Sequence, residues 1–184
     1  KIAAKMNSWN LESWSATAGC RPFEKLGREV DTCTEWASTR LNTIIADKAI
    51  ETVVVAFSYH LNTGAALNWL NELVRSGKQV IVIRPVPGVS LPESQEDFEN
   101  SAPVCVEKNF EQYDPCSWRP ETLQPPLYPA GISQIDTWEV LCRDGNCHTV
   151  IGGALVYFDS NHMTTTFAKS LYGWLSASIQ KLKS

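Results

Sequence analysis

Two short and almost entirely apolar stretches, residues 52–57 and 79–84, give the chain its clearest structural signal. Such runs are typical of strands that are buried on both faces of a parallel sheet. Between them, residues 65–76 place leucine and valine at helical spacing and are followed by Gly77, a residue type that often ends a helix. A strand, a helix and a second strand in this order predict a right-handed βαβ unit.

Further elements are predicted on both sides of this unit. Thr32 and Glu35 form a capping-box pattern, which opens a helix with five apolar residues on one face: Trp36, Leu41, Ile44, Ile45 and Ala49. Near the end of the chain, helical spacing predicts a last helix with one core-facing stripe: Phe167, Leu171, Trp174, Leu175, Ser178 and Leu182. Residues 9–16 are predicted to form one more strand.

A proline-rich stretch at residues 85–130 interrupts this alternation of strands and helices. Nine of the ten prolines lie here, together with Cys105 and Cys116. An irregular stretch of this length is uncommon in a compact domain unless it is functional or held in place. We therefore interpret it as an insertion or lid beside the site, held by a disulfide.

Length and composition narrow the class of protein. At 184 residues and 43% hydrophobic residues, the chain is long enough for one well-cored domain. No apolar run approaches the ~20 residues that span a bilayer, and no signal peptide opens the chain. The net charge of -4 gives no footprint for a nucleic-acid partner. Seven tryptophans are many for this length. Tryptophan often fills a core, but some of these side chains could line a sugar-binding groove.

The six cysteines bear on the cellular compartment. No Cys-x-x-Cys pair occurs, which weakens a zinc-ribbon or thioredoxin interpretation. Many pairings are formally open, and we favour neighbours in sequence: Cys20 with Cys33, Cys105 with Cys116, and Cys142 with Cys147. Disulfides would place the domain outside the cytoplasm, as a piece of a longer exported or membrane-anchored protein. The alternative is six reduced, buried thiols in a cytosolic protein.

The candidate chemistry lies at residues 157–162, Tyr-Phe-Asp-Ser-Asn-His, which are typical of a strand that turns into a helix. Asp159 and His162 are three residues apart, so one turn carries both side chains. That spacing suits a carboxylate that orients an imidazole used as a general base. The alternative is a surface helix start in which Asp159 or Ser160 caps the first turn.

Other candidate residues are fewer and less specific. Ser58, Tyr59 and His60 follow the first apolar run, at the carboxyl end of the predicted strand, where open α/β sheets bind ligands. We take them as candidates for the lining of the site, with a loop or packing role as the alternative for His60. His148 is interpreted as a hairpin residue, and no metal site is expected because it and its neighbouring cysteines lack a fourth ligand.

Several of these segments together resemble the SGNH hydrolase superfamily. Residues 157–162, preceded by Cys142 and Cys147, are similar to its closing block, where a cysteine pair and a Tyr-x-Asp strand precede Asp-x-x-His and the last helix. More narrowly, they resemble the SGNH domain fused to acyltransferase-3 membrane proteins, which O-acetylate cell-envelope glycans. Residues 77–87 are similar to the central strand of that family and its proline-containing exit, and residues 18–22 to its Gly-Cys-x-Pro turn.

The resemblance implies an α/β fold of the flavodoxin-like kind, a three-layer α/β/α sandwich with a mostly parallel sheet. It implies a Ser-His-Asp triad in which His162 is the base and Asp159 orients it, with no cofactor. Gly19 would contribute its backbone N–H to an oxyanion hole. The implied partners are a cell-envelope glycan as acceptor and an acetyl donor delivered through the membrane acyltransferase domain of the parent protein. The domain would be tethered to that protein in the periplasm or outside the cell.

The chain departs from the family pattern at the nucleophile. The family serine lies in a Gly-Asp-Ser block after the first strand, and this sequence contains no Gly-Asp-Ser. We therefore expect residues 1–184 to form a single domain that lacks its first strand and nucleophile block. We expect this chain to be inactive without a serine supplied from upstream. The family's oxyanion asparagine has no evident counterpart, because Ser58 and Tyr59 occupy its place.

Three hypotheses on function follow. The first is an O-acetyl transfer domain that modifies a cell-envelope glycan through the triad and hydrolyses acetyl esters as a side reaction. The second is a degenerate, non-catalytic module that binds or docks a glycan through tryptophan and tyrosine side chains. The third is a disulfide-held extracellular domain with a purely structural role.

Overall fold

A parallel sheet of three strands lies at the centre of the residues that the structure, a computed structural model, describes. These are residues 8–15, 32–57, 61–62, 64–89, 102–108, 111, 116–120 and 124–183. They contain helices α1 (Thr32–Ala46), α2 (Gly64–Arg75), α3 (Ala102–Lys108), α4 (Trp138–Leu141), α5 (Thr165–Ser170) and α6 (Tyr172–Lys183). Their strands are β1 (Thr52–Ala56), β2 (Gln79–Ile83), β3 (Ile132–Ile135), β4 (Cys142–Arg143), β5 (Asn146–Cys147), β6 (Val150–Ile151) and β7 (Ala154–Leu155).

The first three strands form the predicted parallel framework. They lie side by side in the order β1, β2, β3, and both neighbouring pairs are parallel. The register pairs Val53 with Val80 and Val80 with Ile132, so apolar residues line up across the sheet. α2 connects β1 to β2 and is followed by Gly77, whose φ of 84° lies in the left-handed region that glycine adopts without strain.

Helices cover both faces of this sheet, which gives three layers. Along β2 the side chains alternate, and Val80 and Val82 face α1 and α2 in a core shared with Ile44, Leu70 and Leu73. Ile81 points the other way and packs with residues of β3 and α6: Ile135 and Ile179. The architecture is therefore the α/β/α sandwich with a parallel sheet that the sequence predicts.

The predicted last helix is divided into two. Phe167 and Leu171 of the α5 region pack against the core around Tyr157, whereas Trp174 and Leu175 of α6 pack against the sheet. The apolar residues that the sequence assigns to one helix are therefore divided between two helices, which pack against two different parts of the core. In the part of the chain that is described, no helix combines the length and the apolar character needed to cross a membrane.

Two predictions are wrong at the outer edge of β1. The apolar run predicts burial on both faces, but Val54 is 43% exposed while Val53 and Val55 are buried. Residues 9–16 are predicted to form a strand, but the described residues 9–15 have no regular structure. Within the described residues β1 pairs only with β2 and is therefore an edge strand.

A cleft of about 890 Å³ lies beside this edge. Residues 8–14 form one wall, and Asp47 with residues 49–54, which include the first half of β1, form another. Leu175, Ile179 and Lys183 of α6 line the remainder. The exposed Val54 therefore borders a space bounded by three separate segments of the chain.

A buried arginine joins the ends of β2 and β3. Arg84 is 1% exposed, and its guanidinium donates two hydrogen bonds to the carboxylate of Asp136, at 2.9 and 3.1 Å, and one to the carbonyl of Gln124, at 3.1 Å. The same guanidinium lies 3.6 Å from the ring centroid of Trp138. The indole N–H of Trp138 donates to the carbonyl of Pro85 at 2.8 Å. These contacts fix the point where the chain leaves β2.

The described parts of the proline-rich stretch are attached to the rest of the domain. Cys105 of α3 and Cys116 form a disulfide with a Cα–Cα distance of 6.1 Å, which confirms their predicted pairing. Trp118 then exchanges two backbone hydrogen bonds with Cys147, at 2.8 and 3.1 Å. The interpretation of residues 85–130 as an insertion or lid stays a prediction.

We predict that Arg84→Met lowers the free energy of unfolding by about 3 kcal/mol, because it leaves the Asp136 carboxylate without its buried cation. Arg75→Met is the matched control, since Arg75 pairs with Glu72 at the surface, where the side chains are 71% and 50% exposed. The control should change stability by less than about 1 kcal/mol. Urea unfolding measures both, and equal losses would contradict a special role of Arg84.

Candidate active site

A short two-stranded ribbon that follows β7 carries the candidate site. Tyr157 and Met163 face each other across it as an antiparallel pair. The next rung is closed by the backbone N–H of Phe158, which donates to the carbonyl of His162 at 2.7 Å. Residues 159–161 form the loop at its end. The ribbon thus brings the two residues of the predicted Asp-x-x-His motif to opposite sides of one tight turn.

The carboxylate of Asp159 organises this turn. One oxygen, Oδ1, accepts the backbone N–H groups of Asn161 at 2.9 Å and of His162 at 2.7 Å. The other, Oδ2, lies 2.7 Å from Nδ1 of the His162 imidazole. Asp159 is therefore both the capping residue of the turn and the partner of the imidazole. The alternative of a helix start capped by Asp159 or Ser160 is wrong, because α5 begins after Thr164, whose side chain accepts the N–H of Phe167.

These hydrogen bonds lower the pKa of Asp159 below its ordinary value. The largest cause is the backbone N–H of Asn161, and the side chain and backbone N–H of His162 act in the same direction. Partial burial opposes them by favouring the neutral acid, but it does not reverse the net shift. At neutral pH, Asp159 is an ionised carboxylate beside the imidazole.

The arrangement suits a general base. When Nδ1 of His162 donates to the carboxylate, Nε2 of the neutral ring is left as the proton acceptor. The His162 side chain is 71% exposed and that of Asp159 is 43% exposed, so the imidazole is open to solvent while the carboxylate behind it is more covered. A carboxylate in this position fixes the tautomer and stabilises the imidazolium that forms when the base accepts a proton.

The turn is attached to the sheet by the chain that leaves β2. The backbone N–H of Val89 donates to the carbonyl of Ser160, at the tip of the turn, at 2.7 Å. Gly88 lies next to the same carbonyl, and a Cβ atom there would be 3.9 Å from it. The sequence identifies this stretch only as a proline-containing exit, and nothing in it signals that Val89 would hold the Asp159–His162 turn.

Tyr157 anchors the base of the ribbon. Its side chain is fully buried, and its ring packs at a tilt against that of Trp118 with centroids 5.6 Å apart. Burial raises the pKa of the Tyr157 hydroxyl above its ordinary value, so the phenol stays neutral. Tyr157 therefore serves as a packing residue at the base of the ribbon.

The other predicted site residues fall mostly outside the described part of the chain. Gly19, the predicted oxyanion residue, lies there, as do Ser58, Tyr59 and His60 of the predicted lining. Cys20 also lies outside the described residues, and the side chain of Cys33 is not described although its backbone belongs to α1. The structure thus brings Asp159 and His162 together and leaves these further assignments as predictions.

The second described disulfide lies next to the ribbon. Cys142 and Cys147 face each other across the hairpin of β4 and β5 and are bonded, as predicted, with a Cα–Cα distance of 3.8 Å. Their sulfur atoms are therefore not metal ligands. Within the described residues, no group of three or more histidine, cysteine, aspartate or glutamate side chains is placed to hold a metal ion.

Comparison with known proteins gives one match. The family model described as "SGNH domain (fused to AT3 domains)" matches residues 3–173. This range includes the whole parallel sheet and the Asp159–His162 turn. Searches of curated proteins and of solved structures found no match for the chain.

We predict that carbon-detected NMR titration places the Asp159 carboxyl pKa below its ordinary value of 3.8. In His162→Ala the pKa should rise yet stay below that value, because the N–H of Asn161 is the largest cause of the shift. The matched control is Ser160→Ala, which removes a neighbouring side chain and should leave the pKa unchanged. An Asp159 pKa at its ordinary value in the wild-type chain would contradict the described hydrogen bonds.

The same shift fixes the sign of a pH effect on stability. Because the pKa of Asp159 is lower in the folded chain than in the unfolded one, its ionised form stabilises the fold. This contribution is complete above the ordinary pKa of 3.8 and is lost as acidification passes the folded-state pKa.

Proposed function

Because this chain belongs to the family of SGNH domains that are fused to AT3 (acyltransferase-3) domains, we propose that it transfers acetyl groups to hydroxyls of a cell-envelope glycan. The family membership makes it an SGNH-type acyl transfer domain; the acetyl group, the glycan and the catalytic roles below are our proposal. The observation that carries the proposal is the 2.7 Å contact between Nδ1 of His162 and Oδ2 of Asp159 in a solvent-open turn.

The proposed reaction has two halves that use the same base. A serine Oγ attacks the carbonyl carbon of the acetyl donor while Nε2 of His162 takes the hydroxyl proton, and the imidazolium then returns that proton to the leaving group. In the second half, His162 takes the proton of a glycan hydroxyl, which attacks the acetyl-serine ester, and the imidazolium returns this proton to the departing serine Oγ. Water in place of the glycan hydroxyl gives hydrolysis, so esterase activity accompanies transfer.

We place the nucleophile on a strand that docks against the edge of β1 that is unpaired within the described residues. Three observations support this position: the cleft of about 890 Å³, the 43% exposure of Val54, and the lack of Gly-Asp-Ser in the sequence. A strand parallel to β1 would end at the same edge of the sheet as β2. The chain leaving β2 contacts the Asp159–His162 turn through Val89, so this edge is also that of the candidate base.

The remaining assignments complete the proposed site. Gly19 supplies a backbone N–H to the developing oxyanion, and Ser58, Tyr59 and His60, which follow β1, line the site at the carboxyl end of the sheet. The two described disulfides support an oxidising compartment, the periplasm or the cell exterior. The AT3 domain of the parent protein would deliver the acetyl donor across the membrane.

A non-catalytic glycan-binding module is the second candidate. One observation favours it: among the described residues, no serine hydroxyl is hydrogen-bonded to His162, whose side-chain contact is with Asp159. The two candidates differ in what the base does, because a binding module does not require proton transfer at Nε2. They are separated by activity and by the effect of removing the imidazole.

We predict that the parent protein hydrolyses para-nitrophenyl acetate and acetylates its glycan, and that His162→Ala lowers both rates at least about a hundredfold, since a general base contributes on that scale. His148→Ala is the matched control, a histidine of the hairpin region, and should leave both rates unchanged. The 184-residue chain alone should show little or no hydrolysis. Hydrolysis by this chain that His162→Ala abolishes would contradict an upstream serine. Full activity of His162→Ala in the parent protein would favour the binding module.

The docking position of the nucleophile strand makes a separate prediction. Val54→Lys should cost little stability in the 184-residue chain, where Val54 is 43% exposed, but about 2 kcal/mol in the parent protein, where the docked strand buries it. Leu127→Lys is the matched control, because Leu127 is 88% exposed and should tolerate lysine in both proteins. Denaturant unfolding measures the four variants, and equal losses for Val54→Lys in both contexts would place the strand elsewhere.

A further inference from the structure

The side chain of Phe158 is a large apolar group that lies open beside the candidate base. It is 72% exposed, whereas Tyr157 before it is fully buried. We propose that Phe158 forms the acceptor subsite of the domain, a platform on which a pyranose ring of the glycan stacks with a hydroxyl directed at His162. This inference rests on the proposed function and names the residue that selects a saccharide acceptor.

The register of the ribbon places Phe158 and His162 on the same face. Tyr157 pairs with Met163, and the N–H of Phe158 donates to the carbonyl of His162, so Phe158 and His162 are the directly opposed residues of the next rung. Opposed residues of an antiparallel pair project to the same side, with Cβ atoms about 4.5–5.5 Å apart. The two side chains therefore leave the same face of the ribbon, and both are more than 70% exposed.

The ring is carried by a backbone that is fixed on both sides. Below it, Tyr157 is packed against Trp118, and beyond it Asp159 holds the turn through the N–H groups of Asn161 and His162. The phenyl ring thus projects from a residue whose backbone N–H is hydrogen-bonded to the carbonyl of His162 at 2.7 Å. A ligand that stacks on this ring meets the base at a defined separation, which is what acceptor positioning requires.

The chemistry of the ring points to the acceptor rather than to the acetyl donor. A phenyl group offers a flat apolar face with negative charge density and has no hydrogen-bonding atom. The C–H groups on one face of a pyranose ring match it in size and polarity, whereas an acetyl group is too small to cover it. The exposed side chains of Ser160 and Asn161 at the tip of the same turn can hydrogen-bond the sugar hydroxyls.

Binding to the 184-residue chain tests the platform without any catalysis. The probes are the methyl glycosides of glucose, galactose and N-acetylglucosamine, followed through the aromatic NMR signals of Phe158 in the wild-type chain and through the backbone amide signals of residues 159–162 in all variants. We expect the ring signals to shift with at least one glycoside, and Phe158→Ala to weaken that binding about tenfold. Phe158→Trp should restore binding, and Leu127→Ala, which removes another exposed apolar side chain, should have no effect.

Catalysis by the parent protein supplies the second readout. Phe158→Ala should raise KM for the glycan acceptor about tenfold and leave kcat for transfer within about twofold, because it removes acceptor binding and spares the base. A fall in kcat with KM unchanged would overturn the inference and make Phe158 a residue that positions His162.

Two binding outcomes also overturn it: no glycoside shifts the Phe158 signals, or lipid vesicles shift them and no glycoside does. Glycoside binding that persists in His162→Ala supports the platform even where transfer is absent. In that case the proposed catalytic function fails while the acceptor subsite stands, so the two failures are distinguishable.

Discussion

The buried contact between Arg84 and Asp136 sets the geometry of the carboxyl edge of the sheet. A guanidinium that is 1% exposed must be paired, since an uncompensated charge in the interior is strongly unfavourable. The partner that meets this need follows β3 directly, so the ends of β2 and β3 are held at one relative position. From that fixed exit the chain reaches Val89, whose N–H holds the carbonyl of Ser160. Backbone hydrogen bonds thus fix the position of the candidate base relative to the sheet, and packing of the His162 side chain contributes little to that position.

Local interactions determine the internal shape of the turn, and distant ones determine its position in the fold. A single carboxylate, that of Asp159, accepts two backbone N–H groups and the imidazole, so the internal shape of the turn is determined by three neighbouring residues. Its placement against the fold depends on Val89 and on the buried Tyr157, which belong to different parts of the core. The base can therefore be both exposed and ordered, a combination that a free surface loop does not provide.

Features that depend on local interactions could be predicted from the sequence, and those that depend on distant contacts could not. The parallel strands, the helix between them, the two described disulfides and the Asp159–His162 pair all depend on residues close in sequence or on a repeating pattern. The Arg84–Asp136 pair joins residues 52 positions apart, and no periodicity signals it. The apolar run around Val54 shows a different limit: it predicts a strand buried on both faces, while within the described residues that strand lies at an edge and Val54 is exposed. Hydrophobic pattern alone does not tell how many neighbours a strand has.

The exposure of His162 creates a chemical conflict that the proposed function must resolve. With a side chain that is 71% exposed, the imidazole meets water as readily as it meets a glycan hydroxyl, and water is present at far higher concentration. An acyl-serine at this site would therefore be hydrolysed unless the acceptor is held beside the base long enough to compete. Binding that concentrates and orients one hydroxyl raises its effective concentration by many orders of magnitude, which can outweigh bulk water. Under our proposal, an aromatic face on the same rung as the imidazole would supply such binding without enclosing the site. On this argument, the balance between transferase and esterase activity depends on occupancy of the acceptor platform, and a closed, dry pocket is not required.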